Sequence, residues 1–177
     1  SCAGLLCGFS RLVIDANREP GTDGSIPTVS DGTPIPGNVD LSLPHAQERE
    51  QRLYKGYHTA LGDALDLRPD TLAISVHSFT PQLKGEPKRR TDIGLLVKDD
   101  SESAVAFIGN MGEIAPDLQV DVNEPYSAHD LNHTIDHNIV PRGLRHLVIE
   151  VRQDHIGTKV GALRMAQKLA RAIRPLI

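Results

Sequence analysis

The stretch that decides the fold is TLAISVHS, at residues 71–78. Residues 71–76 form a short apolar run, which predicts a buried β-strand. The polar residues His77 and Ser78 follow this run directly. Open α/β sheets bind their ligands at the C-terminal ends of their strands. This position therefore favours a functional role for His77 over a role in packing.

Helices and strands alternate on both sides of this strand. Apolar residues at helical spacing predict an amphipathic helix over residues 45–66, which ends before Pro69. Further strands are predicted at residues 93–97, 118–122 and 146–152. This alternation predicts an α/β fold, a three-layer αβα sandwich with a mixed central sheet.

Two more helices are predicted in the second half of the chain, each with an apolar stripe facing the sheet. In the first, the expected N-cap is Ser101 and the expected buried stripe contains Ala104, Val105, Ile108 and Met111. In the second, the expected buried stripe contains Val160, Leu163, Ala166, Ala170 and Ile173.

The part of the chain before these elements contains one short apolar run and one long polar stretch. Residues 11–15, RLVID, predict a buried strand that ends close to Asn17 and Arg18. Residues 19–44 are rich in Pro, Gly, Asp, Ser and Thr, which predicts a loop. Because a loop of this length is uncommon in a compact domain, we interpret it as a lid over a pocket.

The beginning of the sequence suggests a domain that lacks its first segment. The chain opens at Ser1 without Met, and residues 3–7 resemble the middle of a strand. The length of 177 residues suits one domain with its own core. We therefore expect a single domain over residues 1–177 that lacks an N-terminal segment.

Composition argues against two classes of partner. The net charge is only -4 and the longest run of basic residues is that at 88–90, so no nucleic-acid footprint is predicted. Apolar stretches such as residues 147–149 are far shorter than the roughly 20 residues of a membrane span. Cys2 and Cys7 lack the spacing of a disulfide framework, which favours a reducing, cytoplasmic setting. A small molecule is the expected partner.

Three predicted strand ends carry the polar residues that a metal-dependent amide hydrolase needs. They are DANR at residues 15–18, SVHSF at residues 75–79 and IEVR at residues 149–152. In this order they resemble the motifs of zinc carboxypeptidases and of the related N-formylglutamate amidohydrolase family. The resemblance to the amidohydrolase family is the closer one and covers nearly the whole chain, because it also includes residues 29–38 and 123–127.

This resemblance implies a fold, a reaction and a cofactor. The fold is the phosphorylase/hydrolase-like (zinc exopeptidase-like) variant of the αβα sandwich. The reaction is hydrolysis of the formyl amide of N-formyl-L-glutamate to glutamate and formate, in histidine catabolism or a similar pathway. The cofactor is Zn²⁺ or another divalent metal ion, since amide hydrolysis at neutral pH calls for a cation that acidifies water and polarises the carbonyl group.

The resemblance also implies roles for two residues of the predicted strands. His77 is the expected metal ligand, and Glu150 is the expected general base. Glu150 interrupts an apolar strand, where an ionised carboxylate is costly unless it is paired with a cation or a metal-bound water. Two structural alternatives remain open: His77 as a hydrogen-bonded strand-end histidine, and an ion pair between Glu150 and Arg152 on one face of the strand.

Substrate binding is expected to fall mainly on arginine residues. Asn17 and Arg18 match the carboxypeptidase positions that hold a substrate carboxylate, and a planar guanidinium suits that group. Arg11 is a candidate for the second carboxylate of glutamate, and Arg152 is assigned to substrate binding as well. Tyr126 is a candidate catalytic phenol that donates to a carbonyl oxygen or a leaving nitrogen, with loop packing as its alternative role.

Histidines outside the main motifs give weaker signals. His129, His133 and His137 have helical spacing, and we expect pocket or solvent-facing roles for most of them rather than a metal site. His45 is the first histidine of the chain and begins a His-x-x-Glu pattern, but it follows the Asn17 segment, whereas the family takes its first two metal ligands from before that segment. We treat the pattern as coincidence and expect the remaining metal ligands upstream of Ser1.

Two other functions remain open from the sequence. One is a metal-free relative that binds carboxylates without catalysis. The other is a deacylase or carboxypeptidase-like enzyme that acts on a different N-acyl amino acid, because the shape of the pocket decides the acyl group. The sequence carries no signal of the oligomeric state.

Overall fold

The computed structural model describes residues 3–98 and 100–177. Contacts between residues divide the chain into two compact units. The first unit contains the described residues up to Pro69 together with His133–Arg142, and the second contains Asp70–Asn132 and Gly143–Ile177. The expectation of one domain over residues 1–177 stays a prediction.

Regular elements occur along most of the chain after residue 28. The strands are β1 (Val29–Ser30), β2 (Thr33–Pro34), β3 (Ala73–Phe79), β4 (Ile93–Leu95), β5 (Val120–Val122) and β6 (His146–Arg152). The α-helices are α1 (Leu43–Arg49), α2 (Lys55–Asp66), α3 (Ser101–Ile114), α4 (His133–Asn138) and α5 (Lys159–Ile173). A π-helical segment (Glu50–Tyr54) joins α1 to α2, and 3₁₀ turns lie at Val140–Arg142, Gln153–His155 and Arg174–Leu176.

The first unit is built around the long helical segment from α1 to α2. This segment confirms the helix predicted at residues 45–66 and buries Tyr54, His58 and Leu65. Residues 19–44 contain only the short antiparallel hairpin of β1 and β2 and the start of α1, so the predicted loop is largely irregular. Its role as a lid stays a prediction.

The strand predicted at residues 11–15 is wrong. Ile14 and Asp15 are buried, but the backbone of this segment bonds to loops and side chains instead of a neighbouring strand. The amide of Asp15 donates to the carbonyl oxygen of Ser25, and Arg49 donates to that of Val13. Residues 3–7, expected to be strand-like, are exposed and irregular as well.

The second unit contains a mixed four-stranded sheet in the order β3-β6-β4-β5, which confirms the predicted mixed sheet. β3 and β6 are parallel, β6 and β4 are antiparallel, and β4 and β5 are parallel. One face of the sheet packs against α3 and α5. The side chains of this core include Ile93, Leu95, Leu147, Ile149, Phe107, Met111, Met165 and Leu169.

Several predicted core positions are wrong in detail. β3 is an outer strand of the described sheet, so Ile74 and Val76 are exposed rather than buried. The N-cap of α3 is Asp100 rather than Ser101, because the Asp100 carboxylate accepts the backbone N–H of Ser103 at 2.9 Å. On α3, Phe107 is fully buried, whereas Val105 is 68% exposed.

Helix α5 has two apolar faces, and the structure buries the other one. Its buried residues are Met165, Leu169 and Ala172. Val160 and Leu163 of the predicted stripe are 59% and 55% exposed. Periodicity alone could not choose between the two faces, since both satisfy helical spacing. Among the described residues, no helix combines the length and the apolar character needed to cross a membrane.

Candidate active site

His77 and Glu150 lie directly opposite each other on two neighbouring strands. They are register partners in the parallel pair of β3 and β6. Neighbouring strands are about 4.8 Å apart, and directly paired residues project from the same face. That face is opposite to the core, because the alternate residues Leu147 and Ile149 pack against the helices. The structure therefore brings together the imidazole and the carboxylate that the sequence singled out.

The two residues of this pair differ in how deeply they are buried. Glu150 is 8% exposed, whereas His77 is half-buried. The ring nitrogen Nε2 of His77 lies 2.8 Å from the hydroxyl oxygen of Ser75, which is two residues earlier on the same face of the strand. This hydrogen bond orients the imidazole beside the buried carboxylate.

Gly94 leaves space on the other side of Glu150. It is the register partner of Glu150 in the antiparallel pair of β4 and β6. A Cβ atom at this position would overlap the backbone carbonyl oxygen of Glu124, which packs directly on the strand. A glycine inside a strand often marks such a close approach of another backbone. Gly94 therefore lets the loop after β5 lie against the sheet next to the carboxylate.

Asn123 fixes the loop that carries Tyr126. Its side-chain oxygen accepts the amides of Val97 at 2.9 Å and Ala128 at 3.1 Å, and its Nδ2 donates to the carbonyl oxygen of Val97 at 2.9 Å. The backbone of Asn123 has a φ of 54°, a left-handed conformation that asparagine tolerates better than most residues. The loop is thus clamped at its first residue.

Tyr126 belongs to an aromatic cluster with Phe79 and Arg89. The guanidinium carbon of Arg89 lies 5.0 Å from the centre of the Tyr126 ring and 5.7 Å from that of Phe79. Nη1 of Arg89 donates to the Tyr126 hydroxyl oxygen at 3.1 Å. Because that oxygen accepts from Arg89, the phenolic proton is available to a further acceptor. The geometry suits the predicted donor role of Tyr126, which stays a prediction.

Arg152 is buried in a dense network at the end of β6. Nε donates to the Asp154 carboxylate at 2.8 Å, and Nη2 pairs with the Asp92 carboxylate at 2.8 Å. Nη1 donates to three carbonyl oxygens, those of Arg89, Arg90 and Thr91, at 3.3, 3.0 and 3.0 Å. The carboxylates paired with Arg152 are therefore Asp92 and Asp154, not Glu150 as the structural alternative had it. Its assignment to substrate binding stays a prediction.

Asp92 remains ionised within this network. Burial alone would raise its pKa, but hydrogen bonds from the Gln119 amide and from His155, together with the charge of Arg152, hold the pKa of Asp92 below its usual value. The two hydrogen bonds measure 2.8 and 2.6 Å. An ionised Asp92 keeps Arg152 in place at neutral pH, and so ties the β3–β4 loop to the end of β6.

In the first unit, the predicted substrate residues surround Asp15. Arg11, whose side chain is 60% exposed, pairs with the Asp15 carboxylate at 2.9 Å. The backbone N–H of Asn17 donates to the same carboxylate at 2.9 Å. The side-chain oxygen of Asn17 accepts the backbone N–H of Thr134, in the first turn of α4, at 2.8 Å. Arg18 donates to the Asn17 carbonyl oxygen at 3.0 Å. Carboxylate binding by Arg11, Asn17 and Arg18 stays a prediction.

The carbonyl group of Ala16, next to Asn17, is held by a buried histidine. His58 Nε2 lies 2.9 Å from the Ala16 oxygen, and Nδ1 lies 2.8 Å from Nδ2 of Asn138. Nδ2 of Asn138 also donates to the Thr134 carbonyl oxygen at 2.9 Å, which fixes it as the nitrogen end of the amide. His58 therefore donates through Nε2 and accepts at Nδ1, which requires the neutral ring.

Two further histidines contact His58. The ring centres of His133 and His137 lie 5.9 and 5.2 Å from that of His58, and Tyr54 bonds to Nε2 of His133 at 2.6 Å. Burial, and then the charge that the neighbouring histidines could carry, lower the pKa of His58, although the Ala16 carbonyl acts in the opposite direction. Burial also lowers the pKa of His133. His129, the remaining member of the predicted set, belongs to the second unit.

These lowered pKa values predict that mild acid destabilises the protein. At pH above the ordinary histidine pKa of about 6.5, both the folded and the unfolded ring are neutral. As the pH falls below that value, the unfolded chain binds protons that folded His58 and His133 do not, so stability is lost down to their folded pKa. We expect the free energy of unfolding to fall between pH 7.5 and 5.5, before carboxylates protonate. In H58Q, whose amide does not titrate, the slope should be shallower, and an unchanged slope would refute the assignment to His58.

The described residues do not by themselves make up a zinc centre. A catalytic zinc ion takes three protein ligands and keeps one position open. Within residues 3–98 and 100–177, no group of three or more His, Cys, Asp or Glu side chains is placed to hold a metal ion. The assignment of His77 as a zinc ligand stays a prediction.

Sequence reasoning missed two residues of this region. Gly94 carried a readable signal, because a glycine in the middle of an apolar strand indicates a close approach. Arg89 carried none, since its place in a short basic run is typical of solvated surface charge. Only the structure shows that its guanidinium packs against two adjoining aromatic rings.

Comparisons with known proteins show the family and the fold of this chain. The family model for N-formylglutamate amidohydrolase matches residues 1–157. The solved structure of gene product Atu2144 from Agrobacterium tumefaciens has a TM-score of 0.83 and 30% identity, and the match covers 95% of this chain and 69% of that one. The structure of N-formylglutamate amidohydrolase from Ralstonia eutropha JMP134 has a TM-score of 0.60 and 19% identity. This match covers 93% of the present chain and 72% of the Ralstonia eutropha chain. No curated protein matches significantly.

The mixed sheet and its helices define an α/β protein with a hydrolase-like sandwich fold. The family match spans both strands and most of the chain. The chain belongs to the N-formylglutamate amidohydrolase family. At 19% identity, the Ralstonia eutropha structure supports the fold alone.

Proposed function

We propose that this protein hydrolyses the amide bond of N-formyl amino acids, and that its substrate is N-formyl-L-glutamate. The proposal depends on one observation: His77 and Glu150 are register partners on neighbouring strands, on the face of the sheet opposite to the core. Membership of the amidohydrolase family supports the reaction class. The products would be L-glutamate and formate.

Glu150 has the chemistry of a general base in this reaction. It takes a proton from water as the water oxygen bonds to the formyl carbon. It then returns that proton to the substrate nitrogen as the carbon–nitrogen bond breaks. The low exposure of Glu150, 8%, favours this role because water competes weakly for a buried carboxylate. The proton balance is complete, since the carboxylate is regenerated in each turnover.

Tyr126 and His77 contact the reacting groups that Glu150 does not hold. The phenol of Tyr126 donates to the carbonyl oxygen, where negative charge develops, or to the leaving nitrogen. The imidazole of His77, oriented by Ser75 at 2.8 Å, contacts the water or the carbonyl group from the adjacent strand. When bound, a divalent ion would polarise the carbonyl and acidify the water. Zinc, a place in histidine catabolism and a cytoplasmic location remain predictions.

A formate-release assay on purified protein tests the proposal. We expect formate from N-formyl-L-glutamate and a lower kcat/KM for N-acetyl-L-glutamate, whose extra methyl group must fit the acyl site. Metal content is measured on the same sample. Higher kcat/KM for another N-acyl amino acid would identify a deacylase of different specificity. Binding of N-formyl-L-glutamate with no turnover of any N-acyl amino acid at any metal content would favour the non-catalytic relative.

A further inference from the structure

We propose that Arg89, in place of Arg11, binds the side-chain carboxylate of the substrate and thereby selects acidic N-formyl amino acids. This inference rests on the proposed function and extends its site on the sheet. It concerns the second unit alone, where the positions of Arg89, Phe79 and Tyr126 are defined by mutual contacts.

The guanidinium of Arg89 is positioned by its contact with Phe79. Phe79 follows His77 by two residues on β3, so the two side chains project from the same face, about 7 Å apart along the strand. The Arg89 guanidinium packs 5.7 Å from the centre of the Phe79 ring. The guanidinium therefore lies near the C-terminal end of β3, next to the part of the sheet that carries His77 and Glu150, and a glutamyl side chain of the substrate would extend towards it.

Arg89 uses only one of its guanidinium nitrogens as a hydrogen-bond donor to the described residues. Nη1 donates to the Thr80 carbonyl oxygen and to the Tyr126 hydroxyl oxygen, each at 3.1 Å. With the described residues of the chain, Nε and Nη2 make no hydrogen bond, and Arg89 forms no salt bridge. Nε and Nη2 together form one edge of the guanidinium, which binds the two oxygens of a carboxylate in parallel.

The contrast with Arg152 sharpens this interpretation. The guanidinium of Arg152 is occupied by two carboxylates and three carbonyl oxygens. The guanidinium of Arg89 is half-buried and packs against the adjoining rings of Phe79 and Tyr126, whose centres are 6.4 Å apart. A cation in such a setting gains most from an anionic ligand, because partial burial strengthens the charge interaction.

Arg89 is held in place by its backbone hydrogen bonds and by its ring contacts. The backbone N–H of Arg89 donates to the Pro81 carbonyl oxygen at 2.9 Å, and the Arg89 carbonyl oxygen accepts from Arg152 at 3.3 Å. Both backbone groups of Arg89 are therefore fixed, and its side chain packs against the adjoining rings of Phe79 and Tyr126. A donor held in place before the ligand arrives loses less entropy on binding, which favours a specific recognition role.

The kinetic test compares a substrate with and without the side-chain charge. For R89M, we expect the KM for N-formyl-L-glutamate to rise about 10- to 100-fold, the loss typical of a hydrogen-bonded charge. The KM for N-formyl-L-glutamine should change by no more than about twofold, and R89K should lie between R89M and the wild type. The matched control is R90M, which removes an exposed neighbouring charge and should change neither value by more than about twofold. Equal losses on both substrates, or none, would refute the inference.

A binding measurement keeps the inference testable without turnover. By calorimetry, the wild type should bind L-glutamate about 10-fold or more tightly than L-glutamine, and R89M should bind both equally. If the wild type binds glutamate no better than glutamine, or if R89M keeps the preference, the inference is wrong. If the wild type releases no formate but R89M abolishes this preference, the proposed function fails while the carboxylate site stands.

Discussion

Replacement of Glu150 by Gln is expected to lower kcat for formate release by about 10²- to 10⁴-fold. The amide has nearly the same volume as the carboxylate and fits the same buried position opposite His77. It cannot accept the proton of the attacking water at neutral pH. The KM should change little, because the charge of Glu150 acts on the reacting water rather than on the bound carboxylates.

The matched control for this variant is E113Q. Glu113 is an exposed residue of α3, so its replacement makes the same chemical change away from the sheet face that carries Glu150. Both variants should keep the wild-type circular dichroism spectrum and melting temperature. If E150Q retains near wild-type formate release, Glu150 is not the base, and the acid limb of the pH–rate profile belongs to another group.

The sequence singled out this pair because a polar residue in or after an apolar run is easy to recognise, not because the pairing of the two strands was visible. The predicted position of His77 just after a strand at residues 71–76 is wrong, since β3 continues to Phe79 and His77 lies inside it. An apolar run with one acidic residue defined β6 with its observed bounds, residues 146–152. Which strand lies beside it, and in which register, depends on contacts between distant residues that no local pattern reports. The register of β3 and β6 is what places His77 opposite Glu150. A shift of one residue would have put them on opposite faces.

Local sequence patterns gave a wrong prediction where the backbone could find hydrogen-bond partners in more than one way, or where a helix had two apolar faces. Residues 11–15 have the composition of a strand. In the structure, however, the side chains of Asn38 and Arg49, and not a neighbouring strand, donate hydrogen bonds to the carbonyl oxygens of Leu12 and Val13. Helix α5 has apolar residues on two faces, and the one that contains Met165 and Leu169 enters the core. Such choices are settled by tertiary packing, which outweighs local propensity.

Replacement of Arg152 by Met is expected to lower the free energy of unfolding by about 3–5 kcal/mol. Methionine fills part of the volume, but the charge of the largely buried Asp92 side chain and three carbonyl groups lose their donor. For a chain of this size, the melting temperature should fall by about 6–20 °C. Thermal and urea unfolding measure both quantities, and R164M, an exposed arginine of α5, is the control.

The variant R152K separates this structural role from the predicted role in substrate binding. Lysine keeps the charge but has a single ammonium group, which cannot span two carboxylates and three carbonyl oxygens as the guanidinium does. If Arg152 positions the β3–β4 loop, R152K should be clearly less stable than the wild type, and any loss of activity should follow from that loop and from Arg89 on it. If Arg152 mainly binds substrate, R152K should have the same melting temperature as the wild type but a higher KM. The commitment of every Arg152 nitrogen within the second unit favours the first outcome.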